Sequence, residues 1–331
     1  MASDPVAQVF STHPLHPDAE AALQAAADFR VASNPTAAAI MAEGLGADVL
    51  VVRAPIPPEY FTAAKGLRAA VRHGAGLDMI PMAAATAAGV LVANVPGANA
   101  VTVAEHAIFA AIALLRRFRE VDAALRGQGW EAGRAHADHG RELGGAVLGI
   151  VGFGQIGQAL ARIAGQGFGM RVLVHTRRPE TVPVGVEAVA LDRMLPQVDV
   201  LVLCCPLTGA TRGLLSAARM AAMKPGAVLI NVARGPVVDQ TALLAALHSG
   251  HLGGAALDVF DQQPLPAGHP LFALPNVILT PHMAGITRDS MERIGQVTVA
   301  EVLRVLNGGL PKNLCNPEVV PRYLTHFPGG S

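Results

Sequence analysis

The sequence is poor in several residue types that mark common protein classes. Its 331 residues include three cysteines, Cys204, Cys205 and Cys315, which form neither a CxxC spacing nor an even-numbered disulfide framework. We expect small core residues in a reducing, cytoplasmic compartment. The apolar run at 107–115 is too short to span a bilayer, and the first ten residues lack the basic start and apolar run of a signal peptide. Neither membrane insertion nor export is therefore expected.

An excess of charge of one sign is also absent. The 25 basic residues balance 25 acidic ones, and 15% of residues are charged while 51% are hydrophobic. This composition excludes a disordered or collagen-like chain, and it supplies no general field for nucleic acid. Three of the basic residues are lysines and the other 22 are arginines. Because guanidinium groups suit bidentate binding of carboxylates and phosphates, local arginine clusters matter more than the net charge.

Short apolar runs alternate with alanine-rich stretches, a pattern typical of a parallel α/β sheet, and the length favours two domains. The predicted strands are 6–10, 47–52, 69–72, 90–92, 146–153, 171–175, 198–205, 227–232, 254–259 and 276–279. The predicted helices are 18–29, 36–43, 59–64, 81–88, a single long helix at about 101–126, and a last helix at about 290–307. A polar loop after the long helix carries Trp130. The last helix is expected to return to the first part and make that domain discontinuous.

A glycine-rich turn opens the second part of the chain. Gly152, Gly154 and Gly157 form GxGxxG directly after an apolar run and at the start of an apolar helix. In that context the glycines permit a tight turn and the close approach of a pyrophosphate to the helix N-terminus. The turn therefore predicts dinucleotide binding, with Gln155 and Ile156 at the helix start. A turn kept for packing and a methyltransferase nucleotide site are the alternatives.

The next strand bears on the choice of cofactor. An NAD site would place an acidic residue at its end for the ribose hydroxyls. Here the strand ends in His175 and Thr176, followed by Arg177 and Arg178. No carboxylate would repel a 2′-phosphate, and two guanidinium groups could pair with it. We therefore expect NADP(H) to be preferred, with NAD(H) left open and solvated loop arginines as the alternative reading.

Four later strands each end in a chemically distinctive residue, namely Pro206, Arg234, Asp258 and His282. Ligands of open α/β sheets lie outside the carboxyl ends of the strands, so these residues should converge. An arginine for an anionic substrate, an aspartate near the cofactor and a histidine that exchanges a proton at neutral pH indicate an oxidoreductase.

Specific motifs cover nearly the whole chain, namely HGAGLDMI at 73–80, NAVTVAEH at 99–106, VGFGQIG at 151–157, NVARG at 231–235, ALDVF at 256–260 and TPHMAG at 280–285. In these motifs the chain resembles the D-isomer-specific 2-hydroxyacid dehydrogenase family. The resemblance implies a Rossmann-type doubly wound parallel sheet at 99–286, inserted into a smaller flavodoxin-like α/β substrate domain at 1–98 plus 287–331. It also implies a homodimer formed mainly through the inserted domain, and reversible hydride transfer between a nicotinamide and a 2-oxo/2-hydroxy acid.

The resemblance also implies roles for individual residues. Arg234 would bind the substrate carboxylate and 2-oxygen, and His282 would protonate that oxygen during reduction. Backbone amides around Ala75 and Gly76 would hold the carboxylate, and Asp258 the nicotinamide carboxamide. The other cofactor contacts that we predict are Cys205, Pro206, Thr211, Val232, Ala233 and His282 itself.

One position departs from the family pattern. A glutamate directly before a proline pairs with the histidine in the family, whereas this chain has Gln263. A neutral amide can orient the ring but adds no charge to stabilise an imidazolium. Formate dehydrogenases of the same superfamily resemble this chain in having glutamine there, so we expect an active enzyme. Asp261 taking the role is a lesser alternative.

Two first-domain arginines, Arg53 and Arg72, follow or end predicted strands and resemble the arginines that hold the phosphate in 3-phosphoglycerate dehydrogenases. A substrate with a second anionic group is therefore an alternative to our first expectation, glyoxylate or hydroxypyruvate reduction. The plain alternative is that Arg53 only lines the crevice and Arg72 is a solvated charge. Two non-catalytic alternatives are a silent NADP-binding protein, because of Gln263, and a corepressor of the C-terminal-binding-protein type. Trp130 is expected either near the partner subunit's active-site mouth or in packing.

Overall fold

The computed structural model describes residues 6–327. The chain divides into two compact units. Unit 1 comprises Met1–Asn99 and Ile286–Ser331, and unit 2 comprises Ala100–Gly285. These bounds lie within one residue of the domain bounds expected from the sequence. None of the helices within residues 6–327 has the length and apolarity that a membrane span requires.

The N-terminal part of unit 1 alternates strands and helices. Its strands are β1 (Gln8–Ser11), β2 (Asp28–Val31), β3 (Val49–Val52), β4 (Ala69–Arg72) and β5 (Leu91–Ala93). Its helices are α1 (Pro17–Ala26), α2 (Ala37–Glu43), α3 (Pro58–Ala63) and α4 (Met82–Ala88). The strands are parallel and lie in the order β2-β1-β3-β4-β5. Fully buried valines and leucines in β3 place this strand at the centre of the unit's core.

One predicted helix of this part was wrong. The helix expected at 18–29 ends at Ala26, and Asp28–Val31 forms β2 at the edge of the sheet. No residue of β2 is fully buried, so the strand lacks the continuous apolar run by which the inner strands are recognised. The parallel pairing with β1 forms the strand all the same.

Unit 2 is a doubly wound sheet. Its strands are β6 (Val147–Val151), β7 (Arg171–His175), β8 (Glu187–Ala188), β9 (Val200–Leu203), β10 (Ala227–Asn231), β11 (Leu252–Leu257) and β12 (Val277–Leu279). Its helices are α5 (Ala100–Leu115), α6 (Phe118–Gln128), α7 (Trp130–Arg134), α8 (Gln155–Arg162), α9 (Leu191–Met194), α10 (Ala217–Ala221) and α11 (Gln240–His248). The strands are parallel in the order β12-β11-β10-β9-β6-β7-β8. Apolar cores cover both faces, one with α9–α11 and the other with α5 and α8. The predicted fold class is confirmed.

The single helix predicted at 101–126 is two helices. Arg117 adopts a left-handed backbone conformation with φ 51°, and it separates α5 from α6. Its guanidinium donates to the Glu120 carboxylate at 3.0 Å, so the break is held by an ion pair inside the first turn of α6. The loop predicted around Trp130 is instead the short helix α7, where the indole is 68% exposed.

The chain then returns to unit 1 through α12 (Arg288–Leu306) and α13 (Val320–His326). Val302 and Val305 of α12 pack in the core that also contains Val49 and Val71. Helix α12 therefore packs on the core of unit 1. At the end of β4, the buried His73 ring lies 2.9 Å from the Thr298 hydroxyl of α12.

Candidate active site

The glycine-rich turn lies between β6 and α8. Gly152 has φ 97°, and a Cβ atom there would lie 2.8 Å from the Cα of Cys205. A Cβ at Gly157 would lie 2.3 Å from the Gly152 carbonyl oxygen. At Gly154, by contrast, no atom lies within 4 Å of a Cβ position, and no side chain caps the start of α8. Two glycines are thus required by the fold, and the third leaves open space in front of the helix amides.

The end of β7 is basic. Arg177 and Arg178 are exposed, and within residues 6–327 neither guanidinium forms an ion pair. The Thr176 hydroxyl accepts a hydrogen bond from the Arg178 amide at 3.2 Å, which shapes the turn. Glu187 on the neighbouring strand β8 is paired with Arg171 at 2.7 Å. The Glu187 carboxylate is therefore paired with Arg171 and not with Arg177 or Arg178.

The end of β9 lies against the glycine turn. The Cys204 thiol donates to the Gly152 carbonyl oxygen at 3.1 Å. Burial raises the pKa of the Cys205 thiol, so that this cysteine stays protonated and is no nucleophile. The Thr211 hydroxyl donates to the Pro206 carbonyl oxygen at 2.7 Å and closes the following loop. The cysteines within the described residues are free thiols.

A buried asparagine that the sequence reasoning missed shapes the turn of Arg234. The Asn231 side chain is 1% exposed, accepts a hydrogen bond from the Ala233 amide at 3.0 Å and donates to the Arg234 carbonyl at 3.0 Å. Gly235 follows, and a Cβ there would lie 2.0 Å from the Phe260 carbonyl carbon. The turn that carries Arg234 therefore packs directly on the segment after β11. The NVARG motif contains this asparagine and could have identified it.

His282 and Gln263 form a hydrogen-bonded pair. The Nδ1 atom of His282 lies 3.1 Å from the Oε1 atom of Gln263. Because an amide oxygen only accepts hydrogen bonds, the Nδ1 atom carries the proton in this pair and Nε2 is the nitrogen that can exchange one. The residue pair that the family motif predicts is thus brought together, with glutamine in the place of glutamate. Asp261 lies two residues before Gln263 in the sequence. Burial raises the pKa of its carboxyl group, and Asp239 adds to this effect while Arg212 opposes it.

Asp258 lies beneath this pair. It is 3% exposed, and its carboxylate accepts three hydrogen bonds from the turn that carries His282. Its charge also acts on His106 of α5, since burial lowers the pKa of that histidine and Asp258 opposes the lowering. The sequence identified Asp258 but not these contacts.

A cavity of about 600 Å³ opens beside the pair. Apart from His282 and Gln263 it is lined by Phe260, Pro264, Leu265, Phe272, Leu279, Thr280 and Pro281. All of these residues belong to unit 2, and they place mostly carbon surface next to the imidazole. A cavity of this size is ample for a small organic ligand.

In unit 1, Arg72 is fastened to backbone carbonyls. Its guanidinium donates to the Val52 and Gly76 carbonyl oxygens, at 3.1 Å in each case, and also to that of His73. The Ala75 carbonyl accepts a hydrogen bond from the Asn94 side chain at 2.7 Å. The loop that contains Ala75 and Gly76 is therefore held from two sides, and Arg72 is part of that scaffold rather than a solvated charge.

Arg53 is different, because no carboxylate among residues 6–327 lies within ion-pair distance of it. Its guanidinium donates to the Pro14 carbonyl, and burial lowers its pKa. The neighbouring histidines add no positive charge. Burial, Arg53 and Arg72 lower the pKa of His13, and the same causes lower that of His73 to about 3, so both rings are neutral at pH 7. The positive charge at the carboxyl ends of β3 and β4 therefore belongs to Arg53 and Arg72, and Arg53 has no carboxylate partner among residues 6–327.

Comparison with known proteins decides the family. Residues 108–284 match the model described as "D-isomer specific 2-hydroxyacid dehydrogenase, NAD binding domain". The chain belongs to the D-isomer-specific 2-hydroxyacid dehydrogenase family. It is accordingly an oxidoreductase that acts on 2-hydroxy or 2-oxo acids, as the motifs implied.

Relatives of this dehydrogenase are named for different activities. The chain is 39% identical over 270 residues to a glyoxylate reductase of Korarchaeum cryptofilum, covering 80% of this chain and 81% of the relative. It is 34% identical over 321 residues to a D-3-phosphoglycerate dehydrogenase of Methanocaldococcus jannaschii, covering 95% of this chain but only 60% of that protein. A crystal structure of an NADPH-dependent glyoxylate/hydroxypyruvate reductase from Sinorhizobium meliloti matches with a TM-score of 0.83 and 28% identity, over 93% of this chain and 97% of that one.

The turn of this dehydrogenase fits a nicotinamide dinucleotide. A diphosphate needs uncapped amides at a helix N-terminus and room for its oxygens, and both are present at Gly154. The residues that would hold it belong to the first turn of α8, namely Gln155 and Ile156, and to the adjacent loop after β9. Nicotinamide chemistry in the family is hydride transfer, so the site needs one proton-exchanging group near it, and His282 is of that type.

Proposed function

We propose that this dehydrogenase reduces small 2-oxo acids with NADPH, and that glyoxylate or hydroxypyruvate is its substrate. The observation that carries the proposal is the His282–Gln263 pair, 3.1 Å apart, at the end of the same sheet that carries the Arg234 turn. The Korarchaeum relative is named a glyoxylate reductase and the Sinorhizobium protein a glyoxylate/hydroxypyruvate reductase, which supports this choice of acid.

In this proposal Arg234 binds the substrate carboxylate and the 2-oxygen. The cofactor, when bound, supplies a hydride to the 2-carbon. The carbonyl π electrons move onto the oxygen, and the proton on Nε2 of protonated His282 transfers to it, which gives the 2-hydroxy acid and a neutral imidazole. Arg234 stabilises the negative charge that develops on the oxygen. Gln263 holds the Nδ1 side of the ring, and the amides of Ala75 and Gly76 are assigned to the carboxylate.

A substrate panel tests the activity. NADPH oxidation would be measured with glyoxylate, hydroxypyruvate, phenylpyruvate, 2-ketogluconate and phosphohydroxypyruvate. The proposal expects the highest kcat/KM for one of the first two acids. Intact NADPH binding without turnover of any member would instead favour the silent dinucleotide-binding protein or the corepressor-like alternative.

The preference for NADPH is assigned to Arg177 and Arg178, which are exposed and form no ion pair among residues 6–327. The variant with both arginines changed to serine should weaken NADPH binding by about 10- to 100-fold, because two charge-assisted bonds to the 2′-phosphate are lost. NADH binding should stay within about twofold. Arg162→Ser, which removes an exposed arginine at the far end of α8, is the matched control. Equal kcat/KM for the two cofactors in the wild type would refute the preference.

A substrate with a second anionic group is the second candidate, and the unpaired Arg53 favours it. A half-buried guanidinium without a carboxylate is satisfied by an anionic ligand. The bonds of Arg72 to backbone carbonyls count against a direct role for that second arginine. If this candidate holds, Arg53→Gln raises KM for phosphohydroxypyruvate at least tenfold more than KM for hydroxypyruvate. Parallel increases would leave Arg53 as a residue that only lines the crevice.

We also propose that the chain forms a homodimer through unit 2 and functions in the cytoplasm. Exposed large apolar side chains concentrate on α5–α7, where Phe109 and Phe118 are each 57% exposed and Trp130 is 68% exposed. Phe109, Ile112 and Phe118 line one cavity at the surface of α5 and α6, and an exposed apolar surface of this kind is typical of an interface. The free thiols among the described residues agree with a reducing compartment.

A further inference from the structure

The turn that carries His282 has an unfavourable backbone conformation. His282 has φ 55°, in the left-handed region, and only one other non-glycine residue among 6–327 has a positive φ. Side chains other than glycine adopt this region when the surrounding structure holds them there. The contacts of this turn should therefore decide whether the imidazole keeps its place.

Those contacts converge on Asp258. Its backbone carbonyl accepts a hydrogen bond from the His282 amide at 2.9 Å. Its Oδ1 atom accepts hydrogen bonds from the Thr280 hydroxyl at 2.6 Å and from the Met283 amide at 2.8 Å, and its Oδ2 atom accepts one from the Ala284 amide at 2.9 Å. Four donors from five consecutive residues thus end on one buried aspartate, and both carboxylate oxygens are used.

We propose that Asp258 is the positioning residue of His282, and that Thr280 is part of the same device. The carboxylate holds the turn in its left-handed form and thereby keeps the Nδ1 atom of the imidazole on Gln263. The proposal rests on the assignment of His282 as the proton donor. The family resemblance implies a different role for Asp258, namely binding of the nicotinamide carboxamide. That role does not need Thr280, whereas the positioning of His282 depends on it.

The chemistry of a carboxylate suits this task. Each oxygen has two lone pairs, and both oxygens accept only, so the group can receive several N–H and O–H donors at once. An asparagine would present an NH₂ group to one set of donors and leave a buried amide without an acceptor. Because Asp258 is 3% exposed, water cannot replace the lost acceptor without a shift of the turn.

The test compares Thr280→Val, Thr280→Ser and Asp258→Asn in the full chain. The valine removes only the hydroxyl donor, and the serine restores it. We expect kcat for the preferred 2-oxo acid to fall by about 10- to 100-fold in Thr280→Val and to return to within about threefold of wild type in Thr280→Ser. Affinity for NADPH, measured by cofactor fluorescence, should change less than about twofold in both threonine variants.

A readout without substrate keeps the proposal independent of the proposed function. In protein labelled with ¹⁵N-histidine, the correlations of the His282 ring identify which nitrogen carries the proton. The wild type and Thr280→Ser should show the Nδ1–H form, whereas Thr280→Val and Asp258→Asn should show a mixture of both tautomers. Thr62→Val, which removes an exposed hydroxyl that donates to the Glu59 carbonyl, is the control expected to change nothing.

Two results would overturn the proposal. One is a Thr280→Val variant with the wild-type kcat and the wild-type His282 ring spectrum. The other is a loss of NADPH affinity in Asp258→Asn with an unaltered ring spectrum, which would leave carboxamide binding as the role of this aspartate. If Asp258→Asn does not fold, the two threonine variants still decide. A wild type that turns over no 2-oxo acid would refute the proposed function, while the ring spectra would still test the positioning.

Discussion

Replacing Gln263 with glutamate should change the pH dependence of reduction in a defined way. The Oε1 atom of Gln263 lies 3.1 Å from the Nδ1 atom of His282, and both side chains are exposed. At that distance a carboxylate would stabilise the imidazolium by about 1.3 kcal/mol in a water-like dielectric. Since one pKa unit corresponds to about 1.4 kcal/mol, the pKa of His282 should rise by about 1.

The sign of the effect follows from the proton that reduction consumes. Reduction needs the protonated imidazole, so kcat/KM for the 2-oxo acid falls as the pH rises through the pKa of His282. In Gln263→Glu this fall in kcat/KM should occur at a pH about one unit higher. Oxidation of the 2-hydroxy acid needs the neutral ring, so its kcat/KM rises as the pH rises through the same pKa. This rise should move to higher pH by the same amount.

The assay is the pH profile of kcat/KM in both directions at fixed ionic strength. Gln262→Glu is the matched control, because it adds the same charge one residue away from the pair. The control should move the limb by much less than Gln263→Glu. An unchanged profile in Gln263→Glu, or equal shifts in the two variants, would refute the reasoning that Gln263 governs the charge on His282.

Two further predictions concern stability and assembly. Burial raises the pKa of Asp199, but hydrogen bonds from the Val147 amide, Arg141 and Lys224 together hold it below its usual range. Asp199→Asn should lower Tm by about 5 °C at neutral pH, where the carboxylate is charged, and the difference should narrow only below about pH 4. A Tm difference that stays constant from neutral pH down to the lowest pH at which both proteins fold would contradict the ion-pair account. If the chain forms the proposed homodimer through α5, Phe109→Glu should reduce the mass measured by sedimentation from that of two chains to that of one, 34.1 kDa. A mass equal to that of the wild type would contradict the assignment of α5 as the dimer surface.

The buried strands could be predicted closely from the sequence. β4 and β7 have the predicted bounds, and the ends of the other predicted strands differ from the observed ones by at most two residues. A parallel strand covered on both faces needs a continuous apolar run, and such a run is visible in the sequence. β2 was missed because its side chains are half-exposed at the sheet edge.

The break of the long helix at Arg117 could not be predicted in this way. The segment contains neither proline nor glycine at the break, and its apolar pattern continues through it. The left-handed backbone at Arg117 is accompanied by an ion pair with Glu120, three residues further on. Because oppositely charged residues at this spacing also pair within unbroken helices, neither the pair nor the apolar periodicity reveals the break.

In the candidate site, the chemical side chains were visible from the sequence but their supports were not. Arg234, Asp258 and His282 stand at strand ends, where a parallel sheet brings functional residues together. The donors to Asp258 are mostly backbone amides, which every sequence contains, and only the folded turn aims them at one carboxylate. For the same reason the hydrogen bonds from Arg72 to backbone carbonyls could not be predicted from the sequence.

The most direct test of the account is a comparison of the wild type with His282→Asn, using NADPH and hydroxypyruvate. The account predicts that the wild type forms the D-isomer of the 2-hydroxy acid with stoichiometric NADPH oxidation. His282→Asn should still bind NADPH and should lose at least about 100-fold in kcat, because the proton donor is gone. Equal turnover by the two proteins, or NADPH binding without turnover in the wild type, would contradict it.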